Sequence, residues 1–324
     1  MQAAQFHGDR KVTIANIPIP TPGAGEVLLK VVRTALCGSD TKLWIKGAEF
    51  TPGHEIFGIV QQSGHPLDGK RCLVYIPVHC GHCETCLSGD TQMCITDSVL
   101  VGWNRPGGYA EYLTVPEQCL LPVPDDIEDE LAPLLLDTIG TAAHGIRFVQ
   151  HLVPPETTSP VLVTGAGPVG MGAIVALQNM GYTNVHVADL KEERLQLAEK
   201  FGAKRHPVGA RETRFKLIVE CSGSHAARSL GMEIVLPRGV LILIGESDTP
   251  WPVQENKAIR RKDFYMVRTF YFPKSEFPLN VELLRKEKAR YRQLVDAQFG
   301  IEQLPEMFGR FVAGDLVKPL LSFA

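Results

Sequence analysis

The stretch VLVTGAGPVG, Val161–Gly170, joins a short apolar run to the pattern G-x-G-x-x-G. Glycines at that spacing recur in many turns, so the pattern alone decides little. Here it closes a run suited to a buried strand and opens a helix-like segment that continues to Met180. The next strand-like run, VHVAD, ends at Asp189, nineteen residues after Gly170. In that setting the three glycines serve different ends. Gly165 makes the tight turn, Gly167 lets the backbone approach a pyrophosphate, and Gly170 lets the helix pack on the sheet. The helix N-terminus, which opens at Pro168 and Val169, would offer free N–H groups, proline itself having none, and the positive end of the helix dipole to the phosphates. Asp189 suits hydrogen bonds from a ribose diol and would repel a 2′-phosphate, which favours NAD over NADP; Lys191 and Arg194 soften that preference. The bland alternative is a strand–helix turn followed by a surface aspartate that caps a helix.

Downstream, apolar runs keep alternating with helix-like segments: KEERLQLAEKFG, KLIVECSG and GVLILIG follow in turn. Such alternation marks βαβ units on a parallel sheet, so residues 141–275 are expected to form a doubly wound α/β domain. Upstream, residues 1–140 are rich in Gly and Pro and carry short strand-like runs at Val27–Leu36, Ile56–Gln61, Cys72–Val78 and Ala110–Val115. These predict a mostly antiparallel β domain. The tail, 276–324, holds two helical patterns, LNVELLRKEKARYRQLV and LPEMFGRFVAG, and a last strand in PLLSF. It is expected to return to the first domain. The charge run Arg285–Arg292 reads as a solvated helix face.

The 324 residues, 44% hydrophobic and 21% charged, suffice for two domains with cores of their own. A formal net charge of −3 and the lack of a long basic run argue against nucleic acid as a partner. The opening MQAAQFHGDRKVTIANIPIP has neither a basic start nor a long apolar core, so neither a secretory signal nor a membrane anchor is expected. The most apolar stretch, 160–181, is broken by glycines and suits a strand–turn–helix better than a lipid span. The expectation is a cytoplasmic protein with a small-molecule substrate and no membrane partner.

Four of the eight cysteines crowd into HCGHCETCLSGDTQMC, at positions 80, 83, 86 and 94. The run C-x2-C-x2-C-x7-C is too tight for two unstrained disulfides, but its short turns can aim four thiolates at one point, as tetrahedral Zn2+ requires. Cys80, Cys83, Cys86 and Cys94 thus read as a closed structural zinc site, although an iron–sulfur cluster satisfies the same count. His79 and His82 are then bystanders, because four sulfurs fill the four positions. In a reducing cytoplasm these thiols stay available as ligands.

Two further segments carry candidate chemistry. CGSD, Cys37–Asp40, ends an apolar strand in a thiol, a flexible residue, a hydroxyl and a carboxylate, and GHE, Gly53–Glu55, follows a Pro-Gly turn. Singly each has a bland reading, as a core cysteine, a turn aspartate and a satisfied loop histidine. Together with the cysteine lobe and the glycine loop they resemble the zinc-containing medium-chain alcohol and polyol dehydrogenases. The resemblance spans nearly the whole chain and includes GGYAEY (107–112), ECSG (220–223) and GDLVKPLLSF (314–323).

That resemblance implies a GroES-like, mostly-β catalytic domain beside a Rossmann cofactor domain, with two zinc ions per chain and NAD as cofactors. It places the catalytic zinc on Cys37 and His54, with Glu55 as an optional or exchanging ligand, and draws the remaining ligand from LAPLLLDTIGTAAHG, where Asp137 stands as in the bacterial secondary-alcohol branch. A physical reason supports Asp137 independently: a carboxylate ending the apolar run Pro133–Leu136 is costly to bury without a cation. The competing reading has Asp137 cap the following helix. By the same resemblance Ser39 accepts the alcohol's proton, Asp40 fixes the tautomer of His54, and Thr141 contacts the nicotinamide. Lys42 stands where many members carry a proton-relay histidine and can contact the ribose or shuttle protons. The loop from Lys42 to His54 is shorter than usual, which alters the wall of the substrate pocket. The implied reaction passes a hydride between NAD and a secondary alcohol, a polyol, sugar or cyclitol, giving a ketone. The implied assembly is a homodimer or homotetramer paired near Met266–Phe272. A dinucleotide-binding redox sensor or assembly protein without catalysis is the reading from another class.

Overall fold

The computed structural model describes every residue except Thr157, Glu255 and Ala324. The chain forms two compact units. The first comprises Met1–Leu136, Pro273–Phe277 and Tyr291–Ala324, and the second Asp137–Phe272 and Pro278–Arg290. The tail expected to act as one piece is therefore divided, its long helix grouping mostly with the second unit.

The first unit is built on strand Glu26–Ala35. Its alternating EVLLKVV buries Val27, Leu29 and Val31 on one face. It pairs antiparallel with Glu55–Val60, Tyr112–Pro116 and Leu320–Ser322. Beyond Glu55–Val60 the sheet continues through Arg71–Val74 to Leu120–Pro122, and beyond Leu320–Ser322 it ends in the parallel strand Gln298–Phe299. The run expected as a strand over Cys72–Val78 leaves the ladder after Val74, short of Pro77, which has no N–H to give. A separate hairpin, Gln2–Gly8 with Lys11–Asn16, contributes Phe6 to a core with Leu36, Tyr109 and Phe308.

The second unit is a six-stranded parallel sheet. In space the strands run Lys204–Arg205, Val185–Ala188, Val161–Thr164, Phe215–Glu220, Val235–Leu243, Tyr265–Arg268. Numbered along the chain, that is the doubly wound order 3-2-1-4-5-6, whose winding reverses between Val161–Thr164 and Phe215–Glu220. All four residues of Val161–Thr164 are buried, and helix Pro168–Asn179 is buried from Gly170 to Leu177. Burial on all sides is why this stretch reads as continuously apolar rather than periodic. Among the described residues no helix is long and apolar enough to cross a membrane.

Candidate metal centres and dinucleotide loop

Strands Glu26–Ala35 and Glu55–Val60 pair with Ala35 opposite Glu55. Their ends therefore bring Leu36-Cys37 beside Gly53-His54. Gly53 takes φ +99, and a Cβ there would lie 2.7 Å from the Tyr109 ring, so the turn that delivers His54 needs glycine. Cys37, His54, Glu55 and Asp137 each offer one ligand atom, all within 4.8 Å of one another. Asp137 directly follows Leu136, the C-cap residue of the buried turn Ala132–Leu135. It opens a five-residue π-turn, Asp137–Thr141, a form that often marks functional positions. Thr141 is the N-cap residue of helix Ala142–Val149, and its hydroxyl donates to Asp137 Oδ1 at 3.3 Å.

The imidazole of His54 is oriented from behind. Its Nδ1 lies 2.9 Å from Asp40 Oδ1, and the Tyr109 hydroxyl donates to Asp40 Oδ2 at 2.6 Å. Because Asp40 can only accept, Nδ1 carries the proton and Nε2 keeps its lone pair. That nitrogen is 3.5 Å from Ser39 Oγ, whose hydroxyl donates to Cys37 Sγ at 3.2 Å. Burial, and after it the Asp40 charge, raises the Tyr109 phenol well above its usual range, so it remains a donor. Glu55 is fully buried and ion-paired with the equally buried Lys318, which also donates to Leu36 O at 3.2 Å. The ring of Trp103 lies 5.4 Å from that of His54 and 5.5 Å from Lys42 Nζ.

The Cys37 thiol and the Glu55 and Asp137 carboxylates converge here, with the Lys318 ammonium paired to Glu55. With Cys37 ionised, negative charge is in excess, which a divalent cation would neutralise. Mixed S, N and O donors with an oriented histidine suit zinc.

The second centre is Cys80, Cys83, Cys86 and Cys94, again with sulfurs within 4.8 Å of one another. Two of the separations are 3.8 Å (Cys83–Cys94) and 4.0 Å (Cys80–Cys86). A disulfide needs about 2.05 Å, whereas tetrahedral Zn–S bonds of about 2.3 Å place sulfurs about 3.8 Å apart. The spacing fits a single ion rather than a cluster that spreads cysteines over several irons. Backbone N–H groups of Cys80, Cys83 and Asp97 point at sulfurs from 3.3 to 3.4 Å. Hydrogen bonds led by the Thr85 hydroxyl pull the Cys83 thiol down to about 5, while desolvation pushes Cys86 up to about 12. The four cannot all ionise side by side without a cation. His82 turns its Nδ1 to Cys80 O at 2.9 Å, and His79 packs edge-on against Tyr75.

In the second unit, Gly165 takes φ +87, and a Cβ on Gly170 would lie 1.7 Å from Gly165 O. Gly167, the extended N-cap residue of helix Pro168–Asn179, has no atom within 4 Å of where its Cβ would be. The first two are sterically obligatory, and the third leaves open space above the loop. Asp189 accepts the Ala166 N–H at 2.6 Å through one oxygen and the Lys191 N–H at 2.8 Å through the other. It thus ties the loop to the next turn. Arg194 lies on the helix that follows, Glu192–Lys200.

Three residues went unassigned in the sequence: Tyr109, Trp103 and Lys318. The last had a signal, a lysine set between Val317 and Pro319 at the start of an apolar strand, where only a buried anion justifies it.

The model of the alcohol dehydrogenase GroES-like domain matches residues 23–125, and that of the zinc-binding dehydrogenases matches 168–286. An L-threonine 3-dehydrogenase of Chelativorans sp. (strain BNC1) is 34% identical over 270 residues, covering 75% of this chain and 76% of that relative. Among solved structures, an alcohol dehydrogenase from E. coli CFT073 complexed with NADH superposes with TM-score 0.88 at 26% identity, covering 100% of this chain and 99% of that one. Galactitol-1-phosphate dehydrogenase from Escherichia coli gives TM-score 0.85 at 25% identity, with 100% of both chains covered. The chain belongs to the zinc-containing medium-chain alcohol dehydrogenase family, oxidoreductases that act on CH–OH groups.

Proposed function

We propose that the protein oxidises a secondary alcohol to a ketone with NAD as hydride acceptor. Cys37, His54 and Asp137, with Glu55 as an exchanging ligand, would hold the catalytic zinc, and Cys80, Cys83, Cys86 and Cys94 the structural one. The observation that carries this reading is the convergence of Cys37, His54, Glu55 and Asp137 within 4.8 Å. When bound, zinc lowers the pKa of a ligated hydroxyl, for water from about 15.7 to about 7, and NAD takes up the hydride.

The chain's own residues do the rest. Asp40 keeps the proton of His54 on Nδ1, so that Nε2 serves as ligand. The Ser39 hydroxyl, within reach of both Cys37 and His54, accepts the substrate's proton, and Lys42 passes it toward solvent. Gly165, Gly167, Pro168, Val169 and Gly170 cradle the pyrophosphate; Asp189 and Arg194 select the ribose, and Thr141 aims the nicotinamide. A polyol, sugar or cyclitol is the preferred substrate class; the name of the galactitol-1-phosphate relative supports it, and that of the threonine relative adds a hydroxy amino acid to the panel. A homodimer or homotetramer is proposed to form along edge strand Tyr265–Arg268, where Tyr265 and Met266 are 44% and 46% exposed. A cytoplasmic setting accords with the absence of disulfides among the described cysteines.

The test is reduction of NAD+ and of NADP+ with a panel of polyols, sugars, cyclitols and L-threonine. Turnover with NAD+ that is lost on Cys37→Ser supports the proposal. No turnover with any secondary alcohol by a zinc-replete wild type would leave the sensor reading in its place.

A further inference from the structure

Tyr109 belongs to no ligand set, yet its hydroxyl makes the shortest contact to the carboxylate that orients His54. The phenol is fully buried, as is Asp40, and His54 is 2% exposed. Asp40 divides its two oxygens: Oδ1 faces His54 Nδ1 at 2.9 Å and Oδ2 takes the Tyr109 hydroxyl at 2.6 Å. Nothing about the ring is loose. It stacks on Phe6 at 5.9 Å between centroids, sits in the Phe6–Leu36–Phe308 core, and occupies the space that a side chain on Gly53 would need. The backbone is clamped as well, with Tyr109 N–H on Pro52 O at 2.9 Å and Gly108 N–H on Gly53 O at 2.8 Å. The residue that grips Asp40 is thus pinned to the segment that presents His54.

We propose that Tyr109 is a positioning residue for the catalytic metal, holding Asp40 Oδ2 so that Oδ1 fixes the tautomer and ring angle of His54. The inference rests on the ligand reading given under Proposed function. A carboxylate held at one oxygen only can rotate and share its charge between both; the buried phenol removes that freedom and supplies the hydrogen bond that the second oxygen needs where burial keeps solvent away. Its effect should be that of other groups behind a metal-bound histidine, whose loss costs about 10-fold to 100-fold in metal affinity.

The experiment uses Tyr109→Phe, which keeps the ring and its packing and removes only the hydroxyl. Wild type, Tyr109→Phe, Asp40→Asn and the double variant are dialysed against graded chelator, and the zinc retained per chain is measured. The four-cysteine lobe reports whether each variant is folded. The expected result is a wild type with two zinc ions of separable affinity, a Tyr109→Phe variant whose second zinc is held at least about 10-fold more weakly with the lobe zinc unchanged, and no further weakening when Tyr109→Phe is added to Asp40→Asn. Equal retention by wild type and Tyr109→Phe overturns the proposal. So does a loss of the same size in the Asp40→Asn background, because Tyr109 would then not act through Asp40. Loss of both zincs together marks a purely structural role and also overturns it. A wild type that never takes a second zinc overturns the ligand reading itself, and the stoichiometry alone tells that case apart.

Discussion

Replacing Lys318 by methionine removes the ammonium from a pair in which both side chains are fully buried. Methionine fills the stem's space, so the cost arises from Glu55, which loses the ammonium paired with it, and from the carbonyl of Leu36, which Lys318 Nζ now serves at 3.2 Å. Breaking a buried pair from one side costs about 3–5 kcal/mol, whereas removing both charges in favour of apolar groups is often close to neutral. With an m value of about 2 kcal/mol/M in urea, the unfolding midpoint of the first unit should fall by about 2 M in Lys318→Met. Glu55→Leu combined with Lys318→Met should recover most of it. The transition can be read selectively: Trp44 and Trp103 lie in the first unit and Trp251 in the second, so a Trp251→Phe background makes tryptophan fluorescence a probe of the first unit alone. Zinc must be held at one concentration throughout, since a ligand of the native state shifts the midpoint by itself. A Lys318→Met midpoint within about 0.5 M of the parent, a cost near 1 kcal/mol at that m value, would show that the Lys318–Glu55 pair does not carry this stability. A double variant no better than the single would show the same.

Three further outcomes are expected. Gly170→Ala should unfold the turn, because its Cβ would meet Gly165 O at 1.7 Å, while Gly167→Ala should leave the melting temperature unchanged and weaken NAD binding at least about 10-fold by calorimetric titration, since only a ligand contests that space; equal behaviour of the two would remove the dinucleotide reading of the loop. Ser39→Ala should lower kcat/KM by about 100-fold to 10,000-fold with NAD affinity unchanged, the range for a lost proton-transfer group, and a loss confined to KM would assign the hydroxyl to binding instead. Desolvation lowers the folded-state pKa of His206, whose Nε2 is buried without a hydrogen-bond partner. The unfolded chain therefore binds the proton more readily, and stability present above the ordinary value of 6.5 is lost as the pH falls below it. His206→Phe should flatten that acid slope in urea titrations between pH 7 and pH 5, and an unchanged slope would place the effect on other groups.

How much of this was legible in the sequence follows from the range of the forces involved. The glycine loop and the cysteine lobe are local: their residues lie within a few turns of one another, and the backbone between them sets the geometry. Apolar-polar alternation within the strand likewise marked Glu26–Ala35, and apolar runs alternating with helix-like segments marked the parallel sheet. The hairpin at Gln2–Asn16 was not read, because its turn passes through Asp9 and Arg10 in left-handed conformations without the Asn-Gly or Asp-Gly signature such turns favour. The tail's long helix spans Phe277–Arg292, and its grouping with the second unit depends on contacts such as Arg290 with Phe201 O, made across 89 residues. Lys318 and Tyr109 escaped assignment for the same reason: the one meets Glu55 across 263 residues and the other Asp40 across 69, and only the folded sheet brings them together.

The central claim is a zinc ion held by Cys37, His54 and Asp137 in addition to the one in the cysteine lobe. Zinc and iron per chain, measured by elemental analysis on purified wild type beside Asp137→Ala, test it most directly. Two zinc ions and no iron are expected in the wild type, falling to one zinc in Asp137→Ala. A single zinc in the wild type that survives the substitution would contradict it.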